Sequence, residues 1–386
     1  MNFEFVTANR IIVKTNGLSD LEHLIQPYGE RVLLVARRNA QATKDAQSYL
    51  ENAQKSVEVI YVKGEPTLEQ LSENVDFARA GNFDVVVGIG GGSVIDMGKM
   101  IAALITNTKP IMDYLEVIGQ AMPLTKQPKP YIAIPTTSGT GAEVTKNGVV
   151  SSAKHKVKVS LRSPMMFADI VIIDASLTLS LPRHVTASTG MDALTQNIEP
   201  YVSNQANPIT DAFAKAGIQH IGRSLKRAYD EPTNLKAREA MALGSLMGGL
   251  ALANAKLGAV HGFAAVLGGM YDINHGVVCA LLLPHVMRAN VDALQASDDQ
   301  HPILKRYQEV AVLLTNNQNA SIEDGIDFVF DLVKHCQIPS LASFNIPAAD
   351  DAIIIEKAKN SSSMKGNPIM LTEVQLQSIL ENARKC

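Results

Sequence analysis

The sequence predicts an α/β domain built on a mostly parallel sheet, followed by an all-helical domain. Short apolar runs alternate with helical stretches in the first half, glycine-rich turns follow two of these runs, and strand patterns almost disappear in the second half. Near-continuous apolar strands are typical of parallel sheets because helices cover both faces. We therefore expect an α/β domain over residues 1–180 and a helical domain over 181–386.

The elements of the first half follow one another in strand–helix order. A polar helix through Tyr49 and a helix ending on Gly81 separate the first three strands. After LTLSLP at 177–182, Ala- and Leu-rich helical segments continue, which places the domain boundary near 178–185 and predicts a ligand-binding cleft between the domains. The predicted strands are RVLLVA at 31–36, VEVIYV at 57–62, FDVVVGIG at 83–90, YIAIPTT at 131–137 and DIVIID at 169–174.

The composition argues against several classes of protein. A net charge of −3 over 386 residues, with no long basic block, argues against nucleic acid or a membrane surface as partner. The apolar run 241–255 is too short to span a bilayer, and the N-terminus lacks a signal-peptide pattern. Cys279, Cys336 and Cys386 form no CxxC pair, so we expect neither disulfides nor a cysteine zinc site. A cytoplasmic protein with a small-molecule substrate is the expectation.

The segment GIGGGSVIDMGK at 88–99 carries the first chemical signal. Its glycines lie between a predicted strand and a helix, where backbone N–H groups and the helix dipole favour a phosphate. The segment is not a Walker A loop, because Met100 replaces the required hydroxyl residue, and Ser93 replaces the last glycine of GxGxxG. An ordinary tight turn is the alternative interpretation.

A second loop, IPTTSGTGAEV at 134–144, follows another predicted strand. It offers hydroxyl and amide donors that suit phosphate and ribose oxygens, although a polar turn alone would have the same composition. Two such loops after two strands of one sheet favour dinucleotide binding. Arg37 and Arg38 follow the strand at 31–36, where NAD-binding proteins carry an acidic residue. A guanidinium there favours NADP, whereas two solvent-facing arginines are the alternative.

Four residues of the second half are candidate metal ligands. Asp192 and Gln196 lie four apart in a predicted helix and so share one face. His261 and His275 are each followed by glycine and, with Asp192, form a two-histidine, one-carboxylate set that suits Fe²⁺ or Zn²⁺. Histidines in an apolar segment are more often satisfied core residues, and His285 beside Pro284 is interpreted in that way.

At these segments the sequence resembles the iron-containing (group III) alcohol dehydrogenase family. The resemblance rests on GEPTLEQL, DVVVGIGGGSVIDMGK, IPTTSGTGAEVT, VIIDASLT, TGMDALT, VHG and NHG with LLLPHVM, which recur in family order. It implies a Rossmann-like domain, a helical domain, a nicotinamide cofactor, a divalent metal and a homodimer or larger assembly. The implied cofactor residues are Gly90, Gly91, Gly92, Ser93, Asp96, Thr136, Thr137, Ser138, Thr140, Asn147, Lys158 and Thr178, and the implied metal shell is Asp192, Gln196, His261 and His275.

The sequence departs from that family at two positions. The resemblance places histidines at 196 and 265, and this chain has Gln196 and Ala265. An amide oxygen is a weaker ligand than imidazole, so Gln196 either binds the metal weakly through its oxygen or hydrogen-bonds a metal-bound water or the substrate. The expected activity is hydride transfer between nicotinamide and an alcohol, aldehyde or ketone, with Asp192, His261 and His275 as the catalytic residues. The alternatives are a metal-independent reductase resembling maleylacetate reductases, a dehydroquinate synthase-like lyase, and a nucleotide-binding scaffold with a decayed site.

Overall fold

The computed structural model describes residues 2–155, 157–271 and 273–385, which form two compact units. The α/β unit comprises Val6–Thr137 and Ala142–Leu179. The helical unit comprises Met1–Phe5, Ser138–Gly141 and Ser180–Cys386. The main division lies at 179–180, but Ser138–Gly141 groups with the helical unit, in contrast to the domain of residues 1–180 that the sequence predicts.

The α/β unit contains a six-stranded parallel sheet in the order β1-β8-β5-β4-β2-β3. The strands β6 and β7 form a separate antiparallel hairpin. Helices α1–α5 belong to the same unit. The strands are β1 (Arg10–Val13), β2 (Arg31–Ala36), β3 (Ser56–Tyr61), β4 (Val85–Gly90), β5 (Tyr131–Pro135), β6 (Asn147–Ser152), β7 (Val157–Arg162) and β8 (Ile170–Ile173), and the helices are α1 (Leu21–Leu24), α2 (Gln41–Asn52), α3 (Leu68–Ala80), α4 (Gly92–Thr106) and α5 (Ile111–Tyr114).

The predicted α/β class and its five strands are confirmed, with ends that shift by one or two residues. In β2, all residues after Arg31 are buried, as expected for a strand with both faces covered. The sequence analysis did not identify β1, β6 or β7. The reason is that β1 is a four-residue edge strand with exposed ends, and the hairpin strands alternate apolar with polar residues over only six positions.

The helical unit is built around α6, whose residues are almost all buried from Thr186 to Val202. Helix α10 is long and apolar enough to cross a membrane, but 78% of its apolar stretch is buried inside the protein, as in the core helix of a globular domain. The helices of this unit are α6 (Arg183–Val202), α7 (Pro208–Asp230), α8 (Leu235–Asn254), α9 (Ala259–Tyr271), α10 (His275–Ser297), α11 (Pro302–Thr315), α12 (Ile322–His335), α13 (Asp351–Asn360) and α14 (Glu373–Lys385).

The loop Ser138–Gly141 groups with the helical unit because two glycines let its backbone approach helices closely. A Cβ on Gly139 would lie 2.7 Å from the Cβ of Thr189 in α6. Gly141 has a positive φ of 58°, and a Cβ there would lie 2.4 Å from the Cα of Gly249 in α8. This packing explains why a boundary drawn along the sequence misplaces the loop.

Candidate metal centre and nucleotide loops

Three helices of the helical unit bring four potential metal ligands together. Asp192 comes from α6, His261 from α9, and His275 and Cys279 from α10, and one donor atom from each lies within 4.8 Å of all the others. We call these four residues the ligand cluster. Asp192, His261 and Cys279 are buried, whereas the side chain of His275 is 32% exposed, so the cluster meets solvent on the His275 side.

The separations between donor atoms fit a bound metal ion. His261 Nε2 lies 3.5 Å from Asp192 Oδ1, and His275 Nε2 lies 3.7 Å from the same oxygen. Tetrahedral ligands with bonds of about 2.0–2.2 Å are about 3.4 Å apart. The separations are too long for good hydrogen bonds and close to the edges of such a tetrahedron.

The position of His275 depends on a close helix–helix contact. Gly276, the second residue of α10, lies so near α6 that a Cβ there would be 2.3 Å from the carbonyl oxygen of Ser188. Because any larger residue would collide with this backbone oxygen, glycine after His275 allows α10 to begin against α6. The same contact brings His275 to Asp192, one turn further along α6.

Glu199, which is not among the site residues predicted from the sequence, orients His261. Its Oε2 lies 2.6 Å from His261 Nδ1, and its Oε1 accepts a hydrogen bond of 2.7 Å from the backbone N–H of Val260. With Nδ1–H donated to Glu199, the Nε2 lone pair of His261 faces the ligand cluster, which is the usual arrangement of a metal-binding histidine. The signal in the sequence is helical spacing, because Asp192, Gln196 and Glu199 recur on one face of α6.

Gln196 contacts the ligand cluster through its amide nitrogen. Gln196 Nε2 donates a hydrogen bond of 3.0 Å to Asp192 Oδ1, and its buried Oε1 makes no hydrogen bond with the described residues. The structure therefore groups Asp192, His261 and His275 around one point and places Gln196 as a hydrogen-bond donor to Asp192.

The sequence predicts no cysteine zinc site, but the structure places Cys279 in the ligand cluster. Cys279 Sγ lies 3.7 Å from His275 Nε2 and 3.9 Å from His261 Nε2. The absence of a CxxC pair does not exclude this arrangement, because Cys279 lies one helical turn after His275 and residues four apart share one helix face. A His-x₃-Cys spacing was therefore the available signal.

The electrostatics of the ligand cluster favour a cation. Burial alone raises the pKa of Asp192, but His275 and the hydrogen bond with His261 outweigh it, so the net pKa is lowered. Burial alone lowers the pKa of His261, but Cys279, Glu199 and Asp192 raise it well above its ordinary value, and Cys279 and Asp192 likewise raise the pKa of His275. The acidic groups of this pocket therefore attract positive charge, from protons or from a metal ion.

In the α/β unit, the two glycine- and threonine-containing loops meet at the carboxyl ends of β4 and β5. The backbone N–H of Thr136 donates to the carbonyl of Gly90 at 2.9 Å, and a Cβ on Gly91 would lie 3.3 Å from the Thr137 side chain. Helix α4 starts here, and no side chain caps its N-terminus. Free N–H groups at the start of a 15-residue helix suit an anionic phosphate, so this edge fits a dinucleotide.

Helix α4 also anchors the segment that follows the second loop. The Lys99 ammonium, 1% exposed, donates to the carbonyl oxygens of Ala142, Thr145 and Asn147 at 2.5–2.8 Å. Asp96 Oδ2 accepts from the backbone N–H of Val149 at 3.1 Å, which ties α4 to β6. This structural role of Lys99 was not predicted from the sequence, where Lys99 is only the last residue of the glycine-rich segment 88–99.

The remaining predicted cofactor residues lie in both units. Lys158 of β7 forms an ion pair with Glu65 at 2.5 Å, and Thr178 is buried and donates its hydroxyl to the carbonyl of Ala175. Arg37, directly after β2, is exposed. The structure brings Gly90, Gly91, Thr136 and Thr137 together. Asp96 and Asn147 take part in the hydrogen bonds that join α4 to β6. Ser138 and Thr140 lie in the helical unit.

Comparison with known proteins gives consistent matches along the chain. The family model described as iron-containing alcohol dehydrogenase matches residues 8–175, and the C-terminal model of the Fe-containing alcohol dehydrogenase family matches residues 186–384. Long-chain-alcohol dehydrogenase 1 of Geobacillus thermodenitrificans is 38% identical over 326 residues, which are 83% of this chain and 80% of that protein.

Solved structures of similar fold cover nearly the whole chain. A crystal structure of 1,3-propanediol oxidoreductase superposes with a TM-score of 0.91 at 31% identity, covering 99% of this chain and 100% of the other. Sulfoacetaldehyde reductase from Bifidobacterium kashiwanohense, in complex with NAD⁺, superposes with a TM-score of 0.88 at 26% identity, covering 100% and 99%.

Proposed function

The chain belongs to the iron-containing alcohol dehydrogenase family and is an oxidoreductase of CH–OH groups, and we propose that its activity is metal-dependent and NAD(P)-linked. The family implies a metal and a nicotinamide cofactor. The proposed substrate is a small alcohol, with the corresponding aldehyde or ketone in the reverse direction. The relatives named 1,3-propanediol dehydrogenase support a small alcohol, and the relative named for long-chain alcohols supports only an alcohol in general.

One observation carries the proposal. Donor atoms of Asp192, His261 and His275 converge on one point at separations that fit a metal ion, next to a side chain that is partly exposed. When bound there, a divalent metal supplies Lewis acidity toward an alcohol or carbonyl oxygen. Glu199 keeps Nε2 of His261 directed into the cluster, which fixes the position of this donor atom before any metal ion binds.

The protein residues around the cluster define its two sides. The buried side is closed by Glu199 and by Gln196, which bonds to Asp192. The exposed edge of His275 is the side from which a small substrate enters. Ala265, one turn after His261, cannot carry a proton, so proton exchange with the substrate depends on solvent or on another side chain.

The α/β unit supplies the proposed dinucleotide site. The nicotinamide ring supplies hydride exchange, and the protein's part is to bind and orient it. The backbone N–H groups at the start of α4 and the hydroxyl of Thr137, close to Gly91, are the donors that we propose for a pyrophosphate. Lys99 and Asp96 hold the following hairpin against α4, and this rigid support preserves the shape of the loops.

Metal removal and rescue test the proposal. Enzyme purified without chelator, treated with EDTA and desalted should lose aldehyde reduction and alcohol oxidation, and Fe²⁺ or Zn²⁺ should restore both. Activity is followed as net consumption or formation of NAD(P)H, which also separates an oxidoreductase from a lyase that uses the cofactor transiently. Full activity after complete metal removal, verified by elemental analysis, would support the metal-independent alternative instead.

We further propose that the enzyme prefers NADP(H) through Arg37. Arg37 follows Ala36, which pairs with Ile89 directly before Gly90, so it lies beside the phosphate loop. The neighbouring guanidinium of Arg38 is occupied over the ring of Tyr61 at 4.5 Å, whereas Arg37 is exposed and forms no ion pair with the described residues. A free guanidinium in this position suits a 2′-phosphate.

A pair of arginine variants tests this preference. Arg37→Asp should lower kcat/KM for NADPH by about 10-fold or more and improve relative use of NADH, because a carboxylate repels the 2′-phosphate. Arg38→Ala serves as the matched control and should leave the NADPH/NADH ratio nearly unchanged. A clear preference for NADH in the natural enzyme, with no effect of Arg37→Asp, contradicts the proposal.

A further inference from the structure

We propose that Cys279 is a metal ligand, so that the site of this protein is formed by one carboxylate, two imidazoles and one thiolate and selects Zn²⁺ over Fe²⁺. This inference rests on the proposed metal dependence and names the fourth donor and the preferred metal.

The geometry of Cys279 supports this role. Its Sγ lies 3.7 Å from His275 Nε2 and 3.9 Å from His261 Nε2, and it belongs to the same cluster as Asp192 Oδ1, within 4.8 Å. Zinc–sulfur and zinc–nitrogen bonds of about 2.3 and 2.0 Å place tetrahedral S and N donors about 3.5 Å apart. The four separations given for these atoms, 3.5–3.9 Å, are close to those of tetrahedral metal ligands.

Two features of α10 hold the sulfur in place. Cys279 is fully buried, and it lies one turn after His275, so both side chains leave the helix on one face. Gly276 allows this face to lie against the backbone of Ser188 in α6. The packing of α10 against α6 therefore holds the thiol in the ligand cluster, and Cys279 can bind a metal without a rearrangement of α10.

Gln196 is the competing candidate for the fourth position, and its hydrogen bond argues against it. Its Nε2 donates to Asp192 Oδ1 at 3.0 Å. If the amide were turned so that Gln196 Oε1 took the position of Nε2, two oxygen acceptors, Oε1 and Asp192 Oδ1, would face each other at about 3.0 Å with no proton between them. The amide nitrogen therefore stabilises the carboxylate ligand. Although Gln196 Oε1 is buried without a hydrogen-bond partner among the described residues, Cys279 Sγ is the atom that groups with the donors of Asp192, His261 and His275.

The chemistry of this donor set explains the expected metal preference. Thiolate is a soft ligand that favours zinc, whereas Fe²⁺ sites with open positions typically use histidine and carboxylate only. Asp192 and a Cys279 thiolate together carry two negative charges, which match a divalent cation in a buried pocket. The thiol proton is released to solvent on binding. Zinc can expand to five ligands, so four protein donors remain compatible with substrate binding.

Cobalt substitution tests the inference directly. Metal-free enzyme titrated with Co²⁺ should bind one ion and develop a thiolate-to-cobalt charge-transfer band in the near ultraviolet. Cys279→Ser should bind Co²⁺ without this band, and its Zn²⁺ affinity, measured by competition with a chromogenic chelator, should fall about 10- to 100-fold or more. Cys336→Ser is the matched control, because Cys336 is also buried and free but lies outside the cluster, and it should keep the band.

A measurement on the natural protein covers the case in which the variant does not fold. X-ray absorption at the zinc edge of the zinc-loaded enzyme should show one sulfur neighbour at about 2.3 Å. Co²⁺ binding without a charge-transfer band, or a zinc spectrum without sulfur, would overturn the inference and leave the metal-dependent function standing. Full activity of a protein that binds no metal would overturn the proposed function and the inference together.

Discussion

Two clusters of ionisable side chains are mostly buried in this protein, and their charges are compensated in different ways. The lysine cluster of the α/β unit contains Lys99 with Asp96 and Glu143, and its ammonium is bonded to protein oxygens. The ligand cluster of the helical unit contains donor atoms that converge, and none of its four residues is a lysine or an arginine. The first cluster carries its own cation, and the second has the acceptors of a cation site.

The pKa shifts reflect this difference. In the lysine cluster burial dominates: it raises the pKa of Asp96 to about 6 and that of Glu143 to about 7, and lowers the pKa of Lys99 to about 8. In the ligand cluster, burial acts in the same direction but neighbouring charges outweigh it, so the pKa of Asp192 is lowered and that of His261 is raised. Shifted pKa values occur in both clusters and do not by themselves separate function from structure. The ligand cluster is the candidate functional site because its donor atoms converge, whereas the Lys99 ammonium is already bonded to protein oxygens.

The largest expected effect comes from Asp192→Asn. Removing the only carboxylate of the ligand cluster should lower kcat/KM about 10³-fold, since a Lewis-acid metal supplies several kcal/mol of transition-state stabilisation. Activity and bound metal are measured on the same sample. Asp299→Asn, an exposed residue of the helical unit, is the control. If the variant keeps both metal and activity, the ligand cluster has no functional role.

Lys99→Met tests the structural role of the other cluster. The change leaves several buried carbonyl groups without their donor and should lower the free energy of unfolding by about 3–5 kcal/mol. Urea unfolding gives the stability, and zinc affinity should stay unchanged. Lys44→Met, at an exposed position, should change stability by about 0.5 kcal/mol or less. A stability loss below about 1 kcal/mol would show that Lys99 is not the anchor of its segment.

Glu143→Gln tests the effect of pH on the lysine cluster. Because the pKa of Glu143 is raised in the folded protein, its contribution to stability is present below pH 4.5 and is lost as the pH rises through about 7. Glutamine does not titrate, so the variant should gain about 3 kcal/mol relative to the natural protein between pH 4.5 and 7.5. Urea unfolding over this range measures the gain. A pH-independent difference, like that expected for the exposed control Glu73→Gln, contradicts the assignment.

Glu199→Gln should give the smallest of these effects. The amide oxygen can still accept from His261 Nδ1, but the amide nitrogen then faces the N–H of Val260 and the negative charge is lost. Zinc affinity should therefore fall about 10-fold, and the metal-free protein should lose about 1–2 kcal/mol of unfolding free energy. Chelator competition measures the affinity, with Glu356→Gln of α13 as an exposed control. An unchanged affinity would show that the position of the His261 ring depends on packing alone.

Much of the fold could be predicted because each strand contains its own signal. A run such as RVLLVA needs no knowledge of its neighbours, since a strand covered on both faces is apolar throughout. The strands of the β6–β7 hairpin were not predicted because apolar and polar residues alternate in them over only six positions, a pattern that many loops also show. Asp192, His261 and His275 were predicted from residue type and spacing, whereas Glu199 was overlooked although it shares a helix face with Asp192.

The sequence by itself determined the α/β and helical halves, the glycine-rich loop before α4 and three of the residues in the ligand cluster, because these depend on patterns within a few neighbouring residues. The tertiary structure decided that Cys279 joins these residues, that Gln196 bonds to Asp192, and that Lys99 is a buried anchor. These relations depend on which helix faces pack together. Contacts between residues far apart in the chain, such as Gly276 against Ser188, arise only when the whole unit has folded.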